Sequence, residues 1–134
     1  MNKTTFAVKV KASKIDGKGL FAEAGIPARK KIGELTGQVI TVSKARRLAK
    51  KIKRIAIVEL DYEFALDASN DTTFKYINHS CNPNTYMRVI RHQVEFYSLR
   101  KIELREELTC NYGETHHDGA LKCSCGAEGC KQYL

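Results

Sequence analysis

Five cysteines and one Asn-His pair hold most of the chemical capacity of this 134-residue chain. Cys123-Ser124-Cys125-Gly126-Ala127-Glu128-Gly129-Cys130 crowds three thiols around two glycines, a spacing that suits a metal knuckle better than a core. Far upstream, Lys75-Tyr76-Ile77-Asn78-His79-Ser80-Cys81-Asn82-Pro83-Asn84 sets an amide, an imidazole and a thiol side by side, ahead of an Asn-Pro that favours a turn. Together with Cys81, the three C-terminal thiolates make a tetrahedral zinc site without an open position, which is structural rather than catalytic. Such a site would pin the tail against the Asn78-His79 segment and close the chain between them into a loop. Cys110 is left over. His116-His117-Asp118 is a rival ligand cluster, better read as an exposed polar loop once four cysteines satisfy the metal.

The length suits one domain with a real core and leaves no room for a separate cofactor domain. No apolar run reaches membrane-spanning length, and the first residues lead into strand-like alternation rather than the apolar core of a signal peptide. A soluble intracellular protein is expected, cytoplasmic in a prokaryote or nuclear in a eukaryote. Clustered thiols in a reducing compartment then mean metal rather than disulfides. The net charge of +8 falls to about +6 with four thiolates and one zinc dication, so the domain stays basic.

The elements that must position these groups are short. Phe6 to Ala12 alternates as a half-buried strand, Gly17-Lys18-Gly19 interrupts it, and Leu20-Phe21-Ala22 resumes. Gly25-Ile26-Pro27 marks a turn, and Lys31 to Ile40 reads as strand broken by two glycines. From Ser43, a plausible N-cap, apolar residues recur at helical spacing to about Ala56 among seven lysines and arginines. This basic helix 43–56 is either a solvated face or a contact for nucleic acid or another acidic partner. Tyr62 to Asp67 alternates again, followed by a polar loop. Thr85 to Ile90 and Gln93 to Leu99 then read as a hairpin turning through Arg91-His92. The pattern implies several small sheets, not one long parallel sheet.

Gly17-Lys18-Gly19-Leu20-Phe21-Ala22, the segment Tyr76 to Asn84, and Glu106-Glu107-Leu108-Thr109-Cys110-Asn111-Tyr112-Gly113, followed by the C-x-C-x4-C tail, resemble in this order the SET-domain protein lysine methyltransferases. The likeness runs from about Lys14 to Leu134, with a SET domain over 1–115 and a post-SET zinc-binding tail over 116–134. It implies a mostly β fold of small antiparallel sheets with one short helix and a C-terminal pseudoknot.

The resemblance further implies S-adenosylmethionine as cofactor and a protein substrate presenting a lysine. Gly17-Lys18-Gly19 allows close backbone approach. The family pattern gives the backbone around Asp16, Gly17 and Lys18 and the side chain of Asn78 to the amino-acid tail. It gives the Tyr62 hydroxyl to the carboxylate and main-chain groups of His79 to adenine. Tyr112 matches the catalytic tyrosine, which orients a neutral amine for direct displacement at the methyl group. Each of these also has a plain structural reading: a β-turn for the glycines, and a hydrogen-bonded core residue for His79 and Tyr112. Phe96, Tyr97 and Tyr76 are weaker candidates for a lysine channel.

Departures from the family pattern are Lys18 in place of an aromatic, Lys75 in place of arginine and Arg105 in place of a turn glycine. Cys110 stands where the family usually has phenylalanine or tyrosine, the residue that governs how many methyl groups are added. The rival function classes are a non-catalytic basic zinc module that binds nucleic acid or chromatin, and a cofactor-binding pseudoenzyme. The first leaves Asn78, His79 and Tyr112 unexplained, and its basic face lacks interleaved aromatics for base stacking. Histone-like and ribosomal proteins both fit as substrates, although a basic enzyme gains no long-range attraction to a basic tail.

Overall fold

The computed structural model describes residues 5–15, 17–50 and 56–111. Within them lie β1 (Val8–Ala12), β2 (Lys18–Ala22), β3 (Lys31–Leu35), β4 (Gln38–Thr41), α1 (Val42–Ala49), β5 (Ile57–Glu59), β6 (Phe64–Asp67), a 3-10 turn (Phe74–Tyr76), β7 (Asn78–His79), β8 (Thr85–Ile90), β9 (Gln93–Ser98) and β10 (Glu107–Cys110). The strands form three small sheets, ordered β1-β2-β10-β7, β3-β9-β8 and β4-β6-β5. Every pairing is antiparallel except that of β7 with β10. The expected mostly β architecture of small sheets with one short helix is the one observed.

The anticipated hairpin β8–β9 is present, with Thr85 opposite Ser98 and Ile90 opposite Gln93, β9 ending one residue before the expected Leu99. Its two-residue turn places Arg91 at φ 50° and His92 at φ 61°, the left-handed pair that matches the twist of the flanking strands. Tyr86 and Tyr97, opposite each other on the ladder, stack with ring centroids 5.4 Å apart.

Two sequence expectations are corrected. The helix is capped by Thr41, not Ser43, because the Thr41 hydroxyl accepts from the Lys44 N–H at 3.2 Å and α1 already begins at Val42. Within the described residues α1 closes at Ala49, and Ala56 is already outside the helix, just ahead of β5. Gly17-Lys18-Gly19 is not an interruption as a whole. Only Gly17 takes a positive φ, 36°, while Lys18 and Gly19 already belong to β2.

Leu20, Ile26, Ile32, Phe74, Val94, Ile102 and Leu108 form the centre of the main core, each at most 1% exposed. Each such side chain contributes about 1.5–3 kcal/mol relative to an exposed position. Phe74 stacks on Phe96 with centroids 5.4 Å apart, so the 3-10 turn just ahead of the Asn-His segment is anchored directly in that core. A smaller cluster of Ile40, Val42, Ala45 and Ala65 sits where α1 meets the third sheet. Asp71, only 2% exposed, fixes the loop between β6 and the 3-10 turn. Its Oδ2 accepts from Thr36 N and Oγ1 at 2.8 and 2.9 Å, and its Oδ1 from Thr73 N and Lys75 N at 2.7 and 3.1 Å. Among the described residues, no helix is long and apolar enough to cross a membrane.

Candidate functional site

The parallel pairing of β10 with β7 brings the Asn-His segment to the start of β2. Thr109 lies opposite Asn78 and Cys110 opposite His79, while Glu107 and Leu108 pair with Phe21 and Leu20 on the other side. Asn78, 3% exposed, points its amide at this junction. The Asn78 Nδ2 group donates to the Lys18 carbonyl at 3.1 Å, to Ser13 Oγ at 3.1 Å and to Glu107 Oε2 at 2.9 Å. Ser13 Oγ in turn donates to the Glu107 carboxylate, 2.8 Å from both oxygens, and accepts from Ile15 N at 3.0 Å. Asn78, Gly17 and Lys18 are thus gathered at one place, the glycine-bearing loop being tied to the Asn-His segment by a direct hydrogen bond.

The chain after Asn78 is held to β10 as well. Ser80 N donates to Cys110 O at 3.0 Å. Asn84, beyond Pro83, is buried and bonds Thr109 N, the Glu107 carbonyl and Glu106 Oε2 through its side chain at 2.8, 2.8 and 3.0 Å. Thr85 Oγ1 donates to Thr109 O at 2.6 Å. Glu106 is also paired with Arg100. Although burial pushes its carboxyl up, the hydrogen bonds from Arg100, Glu103 N and Asn84 hold it below the usual carboxylate range. Residues 78–84 therefore form a collar around one face of β10.

The other expected residues fall in different surroundings. His79 is 4% exposed, with Nε2 3.4 Å from Cys81 Sγ. Cys81 is half-buried, whereas Cys110 is buried in the main core, where desolvation pushes its thiol up to about 12. The two thiols thus differ in surroundings, Cys81 partly accessible and Cys110 packed in the core. Tyr62 stands 95% exposed in the turn between β5 and β6. Asp61 holds that turn by accepting from Glu63 N and Phe64 N at 2.8 and 2.7 Å, and His92 Nε2 approaches its other oxygen at 3.1 Å. Asp16, Tyr112, Cys123, Cys125 and Cys130 lie outside the described residues, so the expected catalytic tyrosine and three of the four expected zinc ligands do too. Among the described residues, no three His, Cys, Asp or Glu side chains gather as a metal site.

Phe96 is a core residue, 2% exposed and stacked on Phe74. Tyr97 donates its hydroxyl to Glu95 at 3.1 Å, and Lys75 Nζ lies 5.2 Å from the ring centre of Tyr76. The described part of the basic helix exposes Lys44, Arg46, Arg47 and Lys50, with Arg46 bonded to Glu59 at 3.0 and 3.3 Å. Sequence reasoning missed Ser13, Asn84 and the inward role of Glu107. All three are polar residues whose partners lie 22 to 94 positions away, and no local pattern signals such a pairing.

Comparison with known proteins agrees with this arrangement. Residues 17–113 match the family described as SET domain. Over 95% of its length the chain is 35% identical to the histone-lysine N-methyltransferase SETD1 of Drosophila melanogaster and 34% identical to the H3 lysine-4 specific histone-lysine N-methyltransferase of Emericella nidulans. Over the same share it is 32% identical to the histone-lysine N-methyltransferase trithorax of Drosophila virilis. Glycine loop, Asn-His collar and C-terminal strand fall inside the matched span, and the chain belongs to the SET-domain family. It spans 8%, 12% and 4% of the length of those three relatives, respectively.

Proposed function

We propose that this chain is a protein-lysine N-methyltransferase that takes its methyl group from S-adenosylmethionine. The observation that carries the reading is the hydrogen bond from Asn78 Nδ2 to the Lys18 carbonyl. It joins the two segments that the family likeness gives to the cofactor, within a span matched to the family. The residues present suit such a group. A zwitterionic tail needs backbone and amide donors and acceptors, and the positive φ of Gly17 turns the main chain of the loop beside Asn78. When bound, the cofactor supplies an electrophilic methyl group on a sulfonium. The protein's part is to hold, align and dehydrate.

Asp16, Gly17 and Lys18 would hold the amino-acid tail with Asn78, the main chain of His79 would pair with adenine, and Tyr62 would reach the carboxylate from its exposed turn. Tyr112, two residues past the end of β10, would orient the substrate amine with its hydroxyl. That strand is paired with β2 through Glu107 and Leu108 and with β7 through Thr109 and Cys110. Cys110 would set the room available to a methylated nitrogen. Cys81 with Cys123, Cys125 and Cys130 would bind one structural zinc, and the half-buried thiol of Cys81, set apart from the core, fits a ligand. Zinc there would fold the tail over the adenine side of the site.

Histones are what the named relatives act on, and a histone or similar chromatin protein is the first substrate to try for this chain. The exposed lysines and arginines of α1 would then meet the acidic component of such a complex, its nucleic acid, rather than the basic tail. Incubation of the purified protein with methyl-labelled S-adenosylmethionine and core histones, nucleosomes or ribosomal proteins tests the reading. Label in a lysine supports it. Cofactor binding without transfer to any of these would leave a pseudoenzyme, and neither binding nor transfer would leave a basic binding module.

A further inference from the structure

We infer that Glu107 is a positioning residue for the cofactor loop, acting through Ser13 and Asn78 rather than by touching the substrate; this rests on the cofactor reading above. Glu107 opens β10, Ser13 follows β1 and Asn78 opens β7, and these last two meet at its carboxylate, while Lys18, which opens β2, is reached through Asn78. Ser13 Oγ lies 2.8 Å from both carboxylate oxygens, and Asn78 Nδ2 lies 2.9 Å from one of them. A carboxylate accepts only, and here it faces two donors. That fixes the orientation of both partners: the Ser13 hydroxyl proton points at Glu107, leaving its lone pairs for Ile15 N and Asn78. The Asn78 amide must present its nitrogen to this side, which aims it at the Lys18 carbonyl as well.

Gly19 shows that the carboxylate's place is reserved. A Cβ there would fall inside Glu107 Oε2, 2.9 Å from its Cδ and 3.0 Å from Ser13 Cβ. Gly19 has no need of an unusual φ, since it lies within β2 opposite Lys11, so its lack of a side chain is explained by the room Glu107 occupies. The second glycine of the Gly17-Lys18-Gly19 loop therefore serves Glu107, and the first serves the turn.

The test is calorimetric binding of S-adenosylhomocysteine, with melting of the cofactor-free protein measured beside it. Glu107→Gln removes the charge and sets an NH2 group against the Ser13 hydroxyl, so a single neutral oxygen must accept from both Ser13 and Asn78. Its affinity should fall about tenfold while its melting temperature shows it folded. In turnover, KM for the cofactor should rise by about the same factor and kcat at saturation should stay within about twofold. Ser13→Ala, a milder change, should lower affinity in the same direction and serves if Glu107→Gln does not fold. Gly19→Ala should weaken binding in the unmutated background, and much less beside Glu107→Ala, where the clash is gone. Unchanged affinity in folded Glu107→Gln or Ser13→Ala overturns the inference alone. Failure of the unmutated protein to bind S-adenosylhomocysteine overturns the cofactor reading and the inference with it.

Discussion

Asn84 and Thr109 are bonded in both directions. Thr109 N donates to Asn84 Oδ1 at 2.8 Å, and Asn84 N donates to Thr109 Oγ1 at 3.3 Å. With its Nδ2 on the Glu107 carbonyl at 2.8 Å, the Asn84 side chain stands in for a neighbouring strand along β10. Asn84→Ala strips partners from the buried Thr109 N–H and the part-buried Glu107 carbonyl at once. A loss of about 2–4 kcal/mol is expected, read from the midpoint of urea unfolding. Asn84→Asp should be no milder, because it sets a carboxylate against the Glu107 carbonyl and Glu106. A loss below about 1 kcal/mol in either variant would show that water replaces these bonds.

Arg105 sits at φ 71°, in the left-handed region, with its N–H on Ala22 O at 2.7 Å. The family's usual glycine at this turn needs no strain there, whereas an L side chain costs roughly 1–2 kcal/mol. Part of that is returned by glycine's larger unfolded-state entropy. Arg105→Gly should therefore raise stability by about 0.5–1 kcal/mol, seen as a higher melting temperature. A lower one would mean that the Arg105 side chain stabilises the turn by more than its backbone costs.

The acid limb of stability should trace to Glu95, Asp61 and the Glu106 carboxylate already described. A hydrogen bond from Lys31, whose Nζ lies 2.9 Å away, holds the Glu95 carboxyl below its ordinary 4.5, while the Lys31 ammonium is pushed up. Backbone N–H groups of Phe64 and Glu63 do the same for Asp61 against its ordinary 3.8. The unfolded chain binds these protons more readily, so the stabilisation is present above about pH 4.5 and is lost as pH falls through the lowered folded values. Urea midpoints should hold steady from pH 7 to 5 and drop below 4.5. In Lys31→Met the part due to Glu95 should disappear, and an unaltered acid limb in that variant would place its origin elsewhere.

Cys110 predicts an alkaline limb. Its thiol titrates at about 12 in the fold against 9.0 when exposed, so the unfolded state loses its proton first. The contribution is intact below pH 9 and declines by about 1.4 kcal/mol per pH unit from there toward 12. Cys110→Ala should flatten this slope, and mass spectrometry of alkylated native protein should find Cys110 unmodified at pH 8. For the reaction itself, we propose that a cysteine where the family has an aromatic would leave room for a methylated nitrogen, so products beyond monomethyl-lysine are expected. Cys110→Tyr should shift the products toward monomethylation if the packed core accepts the ring. A product that stops at one methyl group in the unmutated protein would count against this role.

Tyr112→Phe should lower kcat by at least about a hundredfold with little change in cofactor affinity, as expected of a hydroxyl that acts on the amine only in the transition state. Chelation of zinc should instead remove cofactor binding and tail structure together, as should Cys125→Ser. Metal analysis that finds no zinc in active protein would refute the second expectation without touching the first.

The sequence made the strands legible where alternation and turn residues agreed. Thr85–Ile90 is bounded as the alternation predicts, because Arg91-His92 leaves only two residues to turn, and the second strand starts at Gln93 but ends at Ser98, one residue short of the expected Leu99. The helix start was misplaced by two residues because Thr41 and Ser43 are both good caps, and only the bond to Lys44 N chooses between them. The Asn78-His79 motif was recognisable as a segment, yet its pairing with β10 was not. A two-residue strand has no period, and its partner lies 31 residues away. Charge placement was the least readable level: Glu107 looks like any surface glutamate until Ser13, 94 residues earlier, is brought beside it.

The position of β10 between β2 and β7 also sets the order in which this protein can acquire its site. On the ribosome the glycine loop and the Asn-His segment leave the exit tunnel well before Glu107–Cys110, and until then the two strands that flank β10 have no partner between them. Ser13, Lys18 and Asn78 must wait, with unpaired strand edges open, for a contact of long sequence separation whose loop-closure entropy is met only when the fourth strand arrives. Folding should therefore be slow for a chain of this size and end, rather than begin, at the cofactor loop, so that a truncation just before Glu107 yields a chain prone to edge-to-edge association instead of a smaller folded domain.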